Sequence, residues 1–146
     1  MVDDLLERPD IETVHRRCLD MLHDIREALV TELGVRPWDN GVVLANGSTV
    51  GGTAAGVGGE AEVRRYHGGV SPGNLPDAQW PRAVDVVSRL ARRYGFDNPV
   101  VVVDRPGDHE VSFADEYGAE LLFGTAANTT LSLATGCHPV ASRRDL

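Results

Sequence analysis

The residues best suited to chemistry lie together in the segment Asp108-His109-Glu110. An imidazole between two carboxylates has the groups of a general base or a metal ligand. Adjacent residues on a turn or strand point apart, however, so these three side chains cannot meet at one atom without an unusual bend. Pro106-Gly107-Asp108 is sufficient by itself to form a hairpin turn, which we expect here, and Asp108 and His109 are kept as binding candidates. A hydrolase that uses His109 and Asp108 is the enzymatic alternative.

The other histidines and the glycines form no catalytic or cofactor motif. His138 has no partner nearby in the sequence and is a third binding candidate. The glycine-rich stretch Asn46–Gly59 lacks the Gly-Lys-Ser/Thr of a phosphate loop, since the chain has no Lys. We expect a strand rather than a helix after it, which also disfavours a dinucleotide fingerprint. The sequence therefore predicts a mobile loop over residues 46–59, no catalytic residue, no cofactor and no metal site.

The two cysteines, Cys18 and Cys137, are candidates for a disulfide. Cys18 falls on the apolar stripe of a predicted helix, and Cys137 has the same parity as Leu131 and Leu133 in a predicted strand. Both sulfurs then face the same layer, unless Gly136 interrupts the strand. A bridge and two buried thiols stay equally open, because facing the same layer does not establish the Cα separation of ~5.5 Å that a bridge needs.

Composition limits the class of protein. The chain has 146 residues, a net charge of −8 and 42% hydrophobic residues, which is typical of one soluble globular domain. An acidic chain without a basic block excludes nucleic acid as the main partner. No apolar run is long enough to span a membrane, and the acidic start MVDDLLERPD does not resemble a signal peptide. This pattern indicates a cytoplasmic protein, or the body of an exported one without its leader.

Hydrophobic periodicity predicts two amphipathic helices. The first runs from about Pro9 to Leu33 and ends at Gly34, where Pro37 blocks its continuation. The second follows Asp77, which is suited to cap its start, and ends at Gly95. Their apolar stripes consist of Ile11, Val14, Cys18, Leu22, Ile25 and Leu29 in the first helix, and of Trp80, Ala83, Val84, Val87, Leu90, Ala91 and Tyr94 in the second.

Alternating apolar residues predict strands in the rest of the chain. We expect one strand to begin at Val35–Asp39, with Val42–Leu44 extending it, and another over Glu60–His67. Residues 99–138 contain three more alternating runs separated by turn residues, which predict a three-stranded meander. The order is α-β-β-α-β-β-β. The fold class is therefore α+β, a single antiparallel sheet of about five strands with both helices on one face. We expect one domain over residues 1–146, with an ordered core of about 9–140 and a frayed tail at 141–146.

Several segments resemble the actinobacterial LppA-like lipoprotein family. They are SPGNLPDAQWPRAV (Ser71–Val84), RRYGF (Arg92–Phe96), VVVDRPGDHEVSF (Val101–Phe113), YGAELLFGTAANTTLS (Tyr117–Ser132) and TGCH (Thr135–His138). A weaker similarity covers Arg8–Leu29 and the region of Trp38.

This resemblance implies a soluble, non-enzymatic domain of the cell envelope that binds a protein or a small ligand. Members of the family carry a signal peptide and a lipidated cysteine ahead of the domain, and we expect neither in this chain. They also tend to have a cysteine in the loop after the first strands, suited to pair with that of TGCH. Because the loop over residues 46–59 has none, Cys18 is the remaining partner for Cys137. An immunity or adaptor protein that caps one protein partner is an alternative within the binding class.

Overall fold

The computed structural model describes residues 8–39, 41–50 and 61–140. This part of the chain forms two helices and seven strands. In chain order they are α1 (Ile11–Leu33), β1 (Val43–Val50), β2 (Ala61–Pro72), α2 (Trp80–Arg93), β3 (Val100–Arg105), β4 (Asp108–Ala114), β5 (Glu120–Thr125), β6 (Asn128–Ala134) and β7 (His138–Pro139).

The strands form one antiparallel sheet, in the order β1-β2-β6-β5-β4-β3. The short β7 continues beyond β6 and pairs with the start of β2. Both helices pack on one face of this sheet and share one hydrophobic core with it, as the sequence predicts. The sheet contributes alternate residues to that core, among them Tyr66, Val111, Phe113, Leu121, Phe123, Leu131 and Leu133.

Local signals in the sequence explain where α1 begins and ends. Asp10 caps its start, since its carboxylate accepts a hydrogen bond of 2.9 Å from the Thr13 N–H. Gly34 ends it with a φ of 72°, a left-handed conformation that glycine adopts without strain. The predicted apolar stripe is confirmed, because Leu22, Ile25 and Leu29 are fully buried.

The start of α2 differs from the prediction. Pro81 lies in its first turn as expected, but the residue that caps it is Gln79, without a side-chain hydrogen bond. Asp77 instead directs its carboxylate away from the helix, where it accepts a hydrogen bond of 2.9 Å from the Gly107 N–H. A tertiary contact has therefore taken the side chain that the local sequence assigns to the helix cap.

Three strand predictions need correction. The meander has four strands instead of three, because β5 was missed. Residues 35–39 form no strand, and β1 begins at Val43. It then continues to Val50 through Asn46, the predicted start of the mobile loop. Pairing with β2 places this segment in the sheet, although Asn46 and Gly47 have weak strand propensity. Residues 51–59 of the loop and the tail at 141–146 lie outside the described residues.

Candidate functional site

A pocket of about 120 Å³ lies between the first half of α1, the end of α2 and the turn that joins β4 to β5. Apolar side chains form much of its wall, contributed by Pro9, Val14, Met21, Phe96 and Ala119. Its volume is somewhat below the ~150 Å³ of an apolar cavity that accepts benzene. Because the pocket is partly open to solvent, a ring-sized molecule can occupy it without being fully enclosed.

The segment Thr135–His138 places one histidine in this pocket. At the end of β6, the Thr135 N–H donates to the carbonyl of Arg64 at 2.8 Å, in the register in which Ala134 pairs with Arg65. The ladder is then interrupted by one extra residue, because His138 of β7 pairs with Glu62. After this interruption the alternation of buried residues is reversed. His138 is buried and Cys137 only half-buried, whereas unbroken parity places Cys137 on the core side.

Gly136 makes this arrangement sterically feasible. A Cβ atom at this position would overlap the carbonyl oxygen of Tyr117 and lie 2.7 Å from its carbonyl carbon. Only glycine allows the two backbones to approach so closely. The same approach brings the Tyr117 ring edge-on to the His138 ring, with centroids 5.3 Å apart.

His138 is the polar group at the inner wall of the pocket. It is 1% exposed, and its Nδ1 lies 2.9 Å from the carbonyl oxygen of Pro9, which can only accept. Burial lowers the pKa of His138, so the ring is neutral at pH 7. A neutral ring that donates from Nδ1 has an acceptor at Nε2. Within the part of the chain that the structure describes, no hydrogen bond to this Nε2 forms, and the fully buried side-chain atom without a partner is Nε1 of Trp38, not this nitrogen.

The thiol of Cys18 also lines the pocket and is uncharged. Burial raises its pKa to about 12, so it is neither a nucleophile nor a ready metal ligand at neutral pH. Cys18 and Cys137 are both free in the structure, and no disulfide joins them. The reversal of alternation at Gly136 accounts for this, because Cys137 no longer faces the core side on which Cys18 lies.

Three charged residues, Arg17, Asp115 and Glu116, also line the pocket, and Arg17 and Glu116 are exposed. Arg17 reaches the carbonyl oxygen of Tyr94 at 3.5 Å. Asp115 accepts hydrogen bonds from the backbone N–H groups of Tyr117 and Ala119, at 2.8 and 2.9 Å, and so holds the turn between β4 and β5. The pocket therefore combines two buried neutral groups, Cys18 and His138, with charged residues that are exposed or half-buried. The buried part of the pocket suits an uncharged group of a ligand.

His109 and Asp108 lie elsewhere and are not brought together. The His109 ring bridges two carboxylates, with Nε2 2.8 Å from Asp77 and Nδ1 2.9 Å from Asp104. It also stacks on Trp80, with centroids 5.2 Å apart. Asp108 pairs instead with Arg105 at 2.6 Å. His109 thus fastens the segment before α2 to the β3–β4 hairpin, and within residues 8–39, 41–50 and 61–140 no three ligating side chains are grouped to hold a metal ion.

This bridge predicts a loss of stability at alkaline pH. The hydrogen bond with Asp77, aided by Asp104, raises the pKa of His109 against the effect of burial. The stabilisation is present below the unfolded pKa of about 6.5 and is lost as the pH rises through the higher folded pKa. Urea unfolding from about pH 5 to about pH 9 should show this loss. It should be absent in His109→Asn and retained in His23→Asn, an exposed histidine of α1. An equal loss in both variants would contradict the role of His109.

The fold and the pocket define an α+β protein whose helices cover one face of an antiparallel sheet, with a small-molecule-sized pocket at one end of the core. The family model of LppA, described as a lipoprotein confined to pathogenic Mycobacterium, matches residues 1–139. The chain belongs to the LppA family, as its sequence motifs predict. No curated protein matches it.

Two solved structures share the fold. The LppA crystal structure from Mycobacterium tuberculosis is similar with a TM-score of 0.68 and 14% identity, over 99% of this chain and 87% of the other. A DUF4853 family protein from Actinomyces odontolyticus ATCC 17982 is similar with a TM-score of 0.57 and 16% identity, over 93% of this chain and 72% of the other. Neither of the described helices combines the length and apolar character needed to cross a bilayer.

The sequence motifs indicate His138 as a candidate, but they do not indicate the pocket around it. Its walls come from Arg17, Cys18, Phe96 and the Asp115–Ala119 turn, which are far apart in the sequence. The one local signal is the glycine of TGCH, since an isolated glycine after a strand is typical of a close backbone approach.

Proposed function

We propose that this protein is a non-enzymatic binding protein of the cell envelope, and that the pocket beside His138 binds one small, uncharged, mostly apolar molecule. The observation that carries the proposal is an almost fully buried imidazole that lines an apolar pocket with its Nε2 acceptor unpaired among the described residues. A donor on a ligand in the pocket can form a hydrogen bond to this acceptor.

The chemistry of the walls narrows the ligand. Apolar atoms of Val14, Met21 and Phe96 favour a ring or a short branched chain. The part of a ligand that lies beside Cys18 and His138 should be uncharged, because this thiol and this ring are both buried and neutral. The expected ligand therefore has one hydroxyl or N–H donor on an apolar body.

The location in the envelope is supported by membership of a family described as a lipoprotein. The pocket supports a binding function. Such a function does not need the catalytic side chains of a hydrolase. His109, the residue on which the enzymatic alternative depends, has both ring nitrogens engaged by carboxylates.

Phenol is a suitable probe because it is a single apolar ring that carries one hydroxyl group as a hydrogen-bond donor. In ¹H–¹⁵N correlation spectra, phenol should shift the backbone signals of Cys18, Phe96 and His138 saturably, with a Kd on the order of 1 mM. Benzene should bind about fivefold to tenfold more weakly, since it lacks the hydrogen bond to His138.

Two variants fill the pocket and test the location. Ala119→Leu and Val14→Phe should each abolish the phenol-induced shifts while their circular dichroism stays that of the folded protein. The matched control, Ala114→Leu, changes an exposed alanine and should bind phenol as the unmodified protein does. Shifts that survive in both filled variants, or phenol and benzene bound equally, would refute the proposed site.

A further inference from the structure

The outermost strand β3 exposes its apolar side chains. Val100, Val101 and Val102 are 65%, 65% and 51% exposed, more than any other large hydrophobic side chain among the described residues. This strand pairs with β4 on one side only and forms one edge of the sheet. The pairing of β3 with β4 contains a β-bulge between Val101 and Val103, a common feature of edge strands, but the exposed side chains at this edge are valines and not charges.

The sequence around this edge is complementary to itself in one antiparallel register. When Val101 faces Val101 of a second copy, Val100 faces Val102, and Asp97 faces Arg105. The same register places Asn98 opposite Asp104, an amide donor against a carboxylate acceptor. Shifting the register by one residue in one direction puts Asp97 opposite Asp104, and in the other direction it puts Asp104 opposite Pro99. Charge complementarity therefore selects one arrangement.

We propose that two copies of this chain associate through β3, in an antiparallel pair centred on Val101 that joins their sheets. Arg105 already pairs with Asp108, and its guanidinium has enough donors for a second carboxylate from Asp97 of the other copy. The arrangement is a closed two-fold interface, in which each copy contributes the same surface.

The area of this contact sets its strength. In this register Val100, Val101 and Val102 are the residues of β3 that face β3 of the other copy, whereas residues 103–105 face residues 97–99, which precede the strand. The ladder is therefore short, and the buried area is below that of a standard stable interface. The dimer should therefore form with a Kd on the order of 100 µM and be favoured by salt, which screens the repulsion between two chains of charge −8.

Sedimentation velocity from about 10 µM to about 1 mM, at near-physiological ionic strength, measures this association. Val101→Lys places two lysines against each other on the two-fold axis and should weaken the dimer by at least about tenfold. Asp97→Arg should also weaken it. The double variant Asp97→Arg/Arg105→Asp should restore it, because both ion pairs are then reversed together.

Asp85→Arg, which makes the same change of charge on the exposed face of α2, is the matched control and should dimerise like the unmodified chain. Circular dichroism identifies any variant that is unfolded. The folded variants then show whether β3 forms the dimer interface. A chain that stays monomeric at the highest concentration would overturn the proposal and leave this edge to a different protein. A dimer that survives Val101→Lys, or one that the double reversal fails to restore, would overturn it as well.

Discussion

Replacing Gly136 by alanine is expected to remove at least about 3 kcal/mol of folding free energy, because its added Cβ would make the closest approach to another atom among the glycines that the structure describes. The added Cβ would overlap the carbonyl oxygen of Tyr117. Neither backbone has freedom to retreat, because Asp115 holds the turn before Tyr117 and Thr135 is bonded to β2 on the other side. Urea unfolding followed by circular dichroism measures the loss.

A second glycine provides the control for that experiment. A Cβ at Gly41 has no atom within 4 Å, so Gly41→Ala should leave the unfolding midpoint almost unchanged. If Gly136→Ala were tolerated as well as Gly41→Ala, the close approach between residues 136 and 117 would be wrong, and with it the geometry of the pocket.

Replacing Phe123 by alanine should cost about 3–5 kcal/mol, as expected for a large aromatic side chain removed from a core. Phe123 is fully buried in β5 and stacks on Trp80 of α2, with centroids 5.0 Å apart. Trp80 in turn stacks on His109, so the cavity would loosen the contact between α2 and the sheet. The free energy of unfolding from urea titration gives this loss.

The neighbouring residue tests which face of β5 is buried. Leu122 is half-buried on the opposite face of the sheet, and Leu122→Ala should cost less than about 1 kcal/mol. Similar losses at both positions would contradict a sheet that is covered by helices on one face.

The helices were predictable because their signals are local. In α1, the spacing of Ile11, Cys18, Leu22, Ile25 and Leu29 defines one face, and Gly34 marks the end. Because such signals depend on residues within one or two turns of each other, they can be read from the sequence alone. The structure confirms the helices that they predict. The cap of α2 was misplaced because Asp77 has a better partner in Gly107, thirty residues away in the sequence.

The strands were harder to predict because alternation is visible only where one face is polar. In β5 the residues Leu121, Leu122 and Phe123 are all apolar, which conceals the period of two. In β1, Asn46 and Gly47 have weak strand propensity, and the pairing of this segment with β2 decides its conformation. Both cases depend on contacts that no local pattern contains.

The same limit applies to the site. The sequence named His138 as a candidate without a local partner, but the interruption at Gly136 buries His138 and half-exposes Cys137, the reverse of unbroken parity. The approach of residue 136 to Tyr117 is a tertiary feature that the sequence motif marks only by a glycine. His109 drew attention through its acidic neighbours in sequence, whereas the carboxylates it contacts, Asp77 and Asp104, are not adjacent to it.

The most direct test of the proposed binding site is the ¹⁵N chemical shift of the His138 ring nitrogens during a phenol titration. Nδ1 already donates to the carbonyl of Pro9, so its shift should change little. Nε2 should move saturably, with the same Kd as the backbone signals, because it accepts the phenol hydroxyl. An Nε2 shift that stays constant while phenol binds, or the absence of any binding, would contradict the account.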